Sequence, residues 1–128
     1  MPAELITTDK APKGSTYAQA RKAGGFVFVA AEGPVDPRTG EVPGPTIAEQ
    51  VPQVIENIRQ ILAAAGATLD DVVKVNVYLA STDDFKNFSR VFGEIFKPPY
   101  PARTTIQQGR PWGNRLIEMD AIAYVGAK

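Results

Sequence analysis

The chain has 128 residues, in which 14 Lys and Arg balance 14 Asp and Glu, and it contains neither Cys nor His. That composition excludes thiol nucleophiles, disulfides, CxxC redox pairs, His-ligated zinc and any Ser-His-Asp triad built within the chain. Zero net charge and the lack of a Lys/Arg run argue against nucleic-acid binding, and the apolar runs are too short to span a bilayer.

A hydrophobic fraction of 44% is too high for a disordered chain, and the length suits a single domain over residues 1–128. The opening Met1-Pro2-Ala3-Glu4-Leu5 carries no basic-then-apolar signal, so the expected location is cytoplasmic. Glu4 to Thr8 is β-prone. Asp9 to Thr16, with Pro12 and Gly14, reads as a loop, and Tyr17 opens a second segment through Arg21. Ala23-Gly24-Gly25 supplies a turn. Phe26 to Ala31 is apolar at every position, which predicts a central strand covered on both faces. Gly33 to Gly44 is a loop in which Asp36-Pro37-Arg38-Thr39-Gly40 has turn chemistry.

Thr46-x-x-Glu49 is a capping box, and Ile47, Val51, Ile55, Ile58, Leu62 and Ala65 form one helical stripe ended by Gly66. Pro52 conflicts with that helix and predicts a kink, or a start nearer Gln50. In Val72 to Leu79 the alternation puts Val73, Val75, Val77 and Leu79 on one apolar face. Thr82-Asp83-Asp84 starts a second helix with a stripe of Phe85, Phe88, Phe92, Ile95 and Phe96, stopped by Lys97-Pro98-Pro99. Pro101 leads into a strand from Arg103 to Gly109, and Pro111-Trp112-Gly113-Asn114 turns the chain. In the last strand, Leu116 to Val125, residues Ile117, Met119, Ala121, Ala123 and Val125 face one way. The prediction is an α+β two-layer sandwich: a mixed sheet with both helices on one face and the other face covered by a partner subunit.

Arg103, at a strand entry, offers a planar fork that grips a carboxylate with two parallel bonds; the bland alternative is a rim salt bridge. Glu118 and Asp120 share a strand face, where like charge raises a carboxylate pKa and suits proton transfer through water. Salt bridges to Arg110 and Arg115 are the competing reading. A hairpin about Trp112 would put Arg103 opposite roughly Ala121 and Glu118 about 10 Å further along. A small substrate with a water fills that gap, or one of the two comes from a neighbouring chain. Tyr17 is a stacking or hydroxyl group, or a half-buried strand-start residue. Thr105 shares the Arg103 face and is either a ligand contact or an ordinary strand former. Gly24-Gly25 and Gly40-x-x-x-Gly44 lack the context of a phosphate loop.

From end to end the chain resembles the RidA (YjgF) family of reactive-intermediate deaminases. The resemblance rests on Tyr17-Ala18-Gln19-Ala20, Phe28 through Glu41, Asn57 to Gly66, Leu69 to Lys74, Pro101-Ala102-Arg103-Thr104 and Ile117 to Ala123. It implies a chorismate-mutase-like subunit, a homotrimer with sites in the clefts between subunits, and no metal or cofactor. The implied activity is hydrolysis of enamine and imine acids such as 2-aminoacrylate and 2-iminopropanoate to 2-oxo acids and ammonia. Arg103 would hold the carboxylate, Glu118 would position or activate water, and Tyr17, Ala31 and Thr105 would line the pocket. The chain departs from the reference subgroup, which has Ser-Gly-Gln where Ala30-Ala31-Glu32 stands, a cysteine at Thr105, an asparagine at Ser89, and Arg-Leu-Pro where Arg110-Pro111-Trp112 stands. A pocket hydroxyl is thus missing and a charge is expected near the site. The alternatives are a deaminase of a larger acid such as an aminomuconate, a non-catalytic carboxylate-binding or regulatory trimer, and, weakest without His or net positive charge, a ribonuclease.

Overall fold

A computed structural model of the chain describes residues 2–109 and 112–126. Arg110 and Pro111, with their part of the expected turn, lie outside the described residues. The elements are β1 (Glu4–Ile6), β2 (Ala20–Ala23), β3 (Phe26–Glu32), α1 (Ile47–Ala64), β4 (Val72–Leu79), α2 (Phe85–Ile95), β5 (Ala102–Gln107) and β6 (Ile117–Tyr124). Among the described residues the strands form a mixed sheet in the order β1-β2-β3-β6-β4-β5, in which β4 and β5 are parallel and the other neighbours antiparallel. Both helices lie on one face, as the amphipathic stripes require, and among the described residues no helix is long and apolar enough to cross a membrane.

The capping box forms as expected: Thr46 Oγ1 accepts from the Glu49 amide, and Glu49 Oε1 accepts from the Thr46 amide, both at 3.2 Å. Thr46→Ala is expected to cost about 1 kcal/mol in denaturant unfolding at fixed protein concentration. Every residue of the α1 stripe is buried, and Gly66 takes the left-handed conformation, φ 78°, that ends the helix. The helix starts at Ile47 and runs through Pro52, so the later start is corrected. The hydrogen bond that Pro52 deletes would have gone to the carbonyl of Ala48, an exposed residue in the first turn, where a lost bond costs least.

Three further expectations are corrected. The hairpin between β5 and β6 does not exist: β5 returns beside β4 through α2, and β6 inserts between β3 and β4. In β4 a register shift between Val72 and Lys74 puts Val72 into the core and leaves Val73 45% exposed. β3 is interior to the sheet, but of Phe26 to Ala31 only Val27 and Val29 are buried; Phe26 and Phe28 stand on the face without helices. That open face also carries Tyr124, whose ring lies 4.9 Å from Phe26, and Ile106. The alternation of β6 holds throughout, with Ile117, Met119, Ala121, Ala123 and Val125 buried against the helices.

Candidate functional site

Arg103 closes a row of residues that runs across the helix-side face: Ile6, Ala20, Val29, Ala121, Val75 and then Arg103. The first five are buried core residues. Because β5 is the sheet edge, the arginine at the end of this row reaches out over α2 instead of into the core. Its guanidinium carbon sits 5.0 Å from the ring centroids of both Phe88 and Phe92 and 5.7 Å from that of Phe85. The apolar stripe of α2 is therefore the floor on which the cation lies. One nitrogen reaches Ser89 Oγ at 3.4 Å, and among the described residues Arg103 forms no ion pair. The rim salt bridge is absent there, and burial lowers the arginine pKa. A half-buried cation without a counterion among the described residues, beside a cavity of about 460 Å³ lined by Ser89, Phe92, Gly93, Tyr100 and Pro101, has the chemistry to accept an anion. Thr105 shares this face two residues on.

Glu118 pairs with Tyr78 on the opposite, open face. Burial raises its pKa, and the Arg115 charge opposes that rise. Asp120 is tied to two side-chain donors. Its two oxygens accept from Asn76 Nδ2 at 2.9 Å and from the Tyr78 hydroxyl at 2.7 Å, and the carboxylate pushes Tyr78 up to about 12. Neither acid forms an ion pair among the described residues.

Glu32 is the residue that sequence reasoning placed only as a nearby charge. Strict alternation from Phe26 and Phe28 would put it on the open face. A register shift between Val29 and Glu32 turns it inward, opposite Met119, where it is 2% exposed. Its Oε1 has no hydrogen-bond partner, and burial, with the Glu118 charge second, pushes its pKa up to about 8.

Tyr17 is 53% exposed and belongs to the loop before β2. That loop is tied down by the buried Gln19, whose Nε2 donates to the carbonyls of Thr8, Ala11 and Pro12 and whose Oε1 accepts from the Thr8 amide. Gln19 also accepts through its carbonyl from the Ala30 amide, which fixes the loop against the β3 irregularity and the exposed Ala31. Tyr17 lines a separate cleft with Leu5, Lys13 and Gly14.

One chain does not bring the candidate residues together. Arg103 and Glu118 lie on opposite faces, with β4 between their strands. Tyr17, beside β2, is four strand spacings from β5, about 19 Å. The single chain thus carries the candidate residues as two candidate half-sites toward the two ends of its sheet: Arg103 with Thr105 at one, and Tyr17 and Ala31 toward the other.

The chain is similar to known proteins over nearly its whole length. The family model described as Endoribonuclease L-PSP matches residues 8–125. A RutC family protein of Pyrococcus abyssi is 50% identical over 97% of this chain and 98% of its own. Reactive Intermediate Deaminase A, chloroplastic, of Arabidopsis thaliana is 36% identical over 94% of this chain, which spans 65% of that protein. Among solved structures, RidA from an Antarctic Psychrobacter superposes with a TM-score of 0.90 at 39% identity, covering 95% of this chain and 99% of that one. Escherichia coli TdcF with bound serine has a TM-score of 0.88 at 31% identity, covering 94% of this chain and 98% of that one.

Proposed function

The chain belongs to the RidA/RutC family, and on that premise we propose that it hydrolyses small enamine and imine acids, of the 2-aminoacrylate and 2-iminopropanoate type, to 2-oxo acids and ammonia. The observation that carries this reading is the guanidinium of Arg103, without a counterion among the described residues and held over α2 beside a cavity. The substrate carboxylate takes the place of the missing counterion. The site is completed between copies of the chain: the Arg103 edge of one subunit meets the Tyr17, Ala31 and Glu118 region of the next. Such a head-to-tail contact uses different surfaces on each partner and closes as a ring. A homotrimer with its open sheet faces turned inward buries Phe26, Phe28, Tyr124 and Ile106.

The chemistry asks little of the protein. In the imine form the carbon is already electrophilic; water adds to it, its proton passes to Glu118, and the nitrogen gains a proton. The resulting carbinolamine loses ammonia as its hydroxyl proton leaves and the carbonyl forms. Orientation by Arg103 and one proton relay suffice. The test is freshly generated 2-aminoacrylate: ammonia and the 2-oxo acid are expected in equal amounts, faster than in buffer.

A second reading, a carboxylate-binding trimer without turnover, is favoured by Ala30, which supplies no pocket hydroxyl, and by the bound serine of TdcF, an acid that is not an imine. Under that reading, small carboxylates raise the melting temperature while the assay stays at the buffer rate, which would reject hydrolysis.

A further inference from the structure

Helix α2 contains a glycine that the fold of the single chain does not ask for. Gly93 lies inside Phe85–Ile95, before the C-cap Phe96, so it does not end the helix. It is not one of the glycines with positive φ. Nor does a neighbour need the space of its missing side chain. Among the described residues, a Cβ there would meet nothing within 4 Å apart from its own helix backbone and chain neighbours. Inside a helix, glycine is less favourable than alanine because it loses more backbone freedom on folding. The other glycines with open space at the Cβ position are of a different kind. Gly24, Gly40, Gly66 and Gly113 turn the chain with positive φ, and Gly109 lies outside the helices.

What Gly93 does face is the cavity of about 460 Å³ beside Arg103. Ser89, whose Oγ lies 3.4 Å from the Arg103 guanidinium, stands four residues earlier on the same helix face, one turn or about 6 Å along the axis. Arg103 and Ser89 give the cavity its cation and its hydroxyl. Phe92, Tyr100 and Pro101 give it apolar surface, and Gly93 gives it bare backbone. A volume of this size takes a whole small molecule, well beyond a carboxylate with one methyl group.

We propose that Gly93 is a specificity-determining residue: it keeps open the part of the Arg103 cavity that receives a bulky apolar side chain, so the preferred acids carry a branched aliphatic group on the reacting carbon. The proposal rests on the hydrolytic reading for the identity of that carbon, and on the geometry of one chain for the rest. With the carboxylate on the guanidinium fork and the reacting carbon turned toward Glu118 of the next copy, the remaining substituent is left the space lined by Tyr100 and Gly93. An acid of the 2-iminopropanoate type places a single methyl there. A branched four-carbon group replaces water with apolar contact over the same surface.

Binding and turnover are measured on the assembled protein. Calorimetry with two stable 2-oxo acids, pyruvate and 4-methyl-2-oxopentanoate, requires no hydrolysis. Each fully buried methylene is worth about fourfold in affinity, so the three extra carbons of the branched acid in a partly open cavity are expected to give it roughly a tenfold advantage on the wild type. Gly93→Leu, which fills the space, is expected to bring the ratio of the two affinities down to about one. Gly93→Ala is expected to give an intermediate ratio and to melt no lower than the wild type. In the imine assay, the ratio of kcat/KM for the imines of the same two acids is expected to move in the same direction. A wild type that binds neither acid, or binds both alike, overturns the proposal, as does a Gly93→Leu protein with the wild-type ratio. A Gly93→Ala protein that melts lower, or sediments as a smaller species, shows that the glycine serves packing within or between copies and also overturns it. A tenfold preference that Gly93→Leu abolishes, found while imine hydrolysis stays at the buffer rate, sustains the pocket and retires the hydrolytic reading alone.

Discussion

Arg103→Ala is expected to remove the acceleration of imine hydrolysis and leave only the buffer rate, with the fold nearly unchanged. The separation of the two effects follows from what the guanidinium does in the chain. Its bonds within the chain are weak: a 3.4 Å contact to Ser89 and a cation–π stack on three rings, worth about 0.5–1 kcal/mol at a partly exposed site. Its proposed bonds to a substrate carboxylate are two charge-assisted hydrogen bonds, each worth about 1.5–3 kcal/mol. Losing both lowers kcat/KM by about two to four powers of ten, enough to merge with background for a substrate that hydrolyses spontaneously. Arg103→Lys keeps the charge and loses the fork, so an intermediate rate with a raised KM is expected. Initial rates of ammonia release and a thermal melt, run on the same preparations, decide the matter. An alanine variant as active as wild type removes Arg103 from the site.

Local chemistry made the helices and the last strand readable. Thr46 and Glu49 announce a helix start through groups that bond within one turn, and the alternation of Ile117 to Val125 needs no knowledge of its neighbours. The lost information is non-local. Two strands separated by a short turn ordinarily pair as a hairpin, and that reasoning set Arg103 near Ala121. In the sheet the two do share a row, but β4 stands between them. The competing arrangement, a parallel β4–α2–β5 crossover, wins because it lays the phenylalanine stripe of α2 on the sheet and leaves β5 at the edge. The same crossover is what leaves the arginine on the helix side of an edge strand, so the misread topology is the origin of the half-site. Glu32 was illegible for a different reason. A bulge reverses the inward and outward assignment of everything beyond it, and Ala30-Ala31 carries no local signal that a bulge occurs there. The position of Arg103 was legible as a candidate, and a partner from another copy, on which the proposed site depends, was one of two options the sequence offered.

Phe28→Asp is expected to take the assembly apart and, with it, all activity. Phe28 sits on an interior strand of the sheet, on the face that neither helix covers, and is 46% exposed in the single chain. Phe26 and Tyr124, at 42% and 51%, continue the patch. None of these side chains contributes to the core beneath the helices, so an aspartate at position 28 costs the isolated subunit little beyond its poorer strand propensity, at most about 1 kcal/mol. In a closed ring each copy carries the same substitution, and each buried carboxylate loses its hydration without a partner, a penalty of several kcal/mol per site. Sedimentation is expected to report the mass of one chain for the variant and of three for the wild type, with matching far-UV circular dichroism. On the proposed reading, in which Arg103 and Glu118 of one site come from different copies, the single-chain variant is expected to be inactive although every proposed site residue is intact. Arg103→Ala, by contrast, stays assembled and fails at chemistry. A wild type that sediments as one chain and still hydrolyses the imine, or a Phe28→Asp protein that does so, would show that one copy suffices and would overturn the shared site.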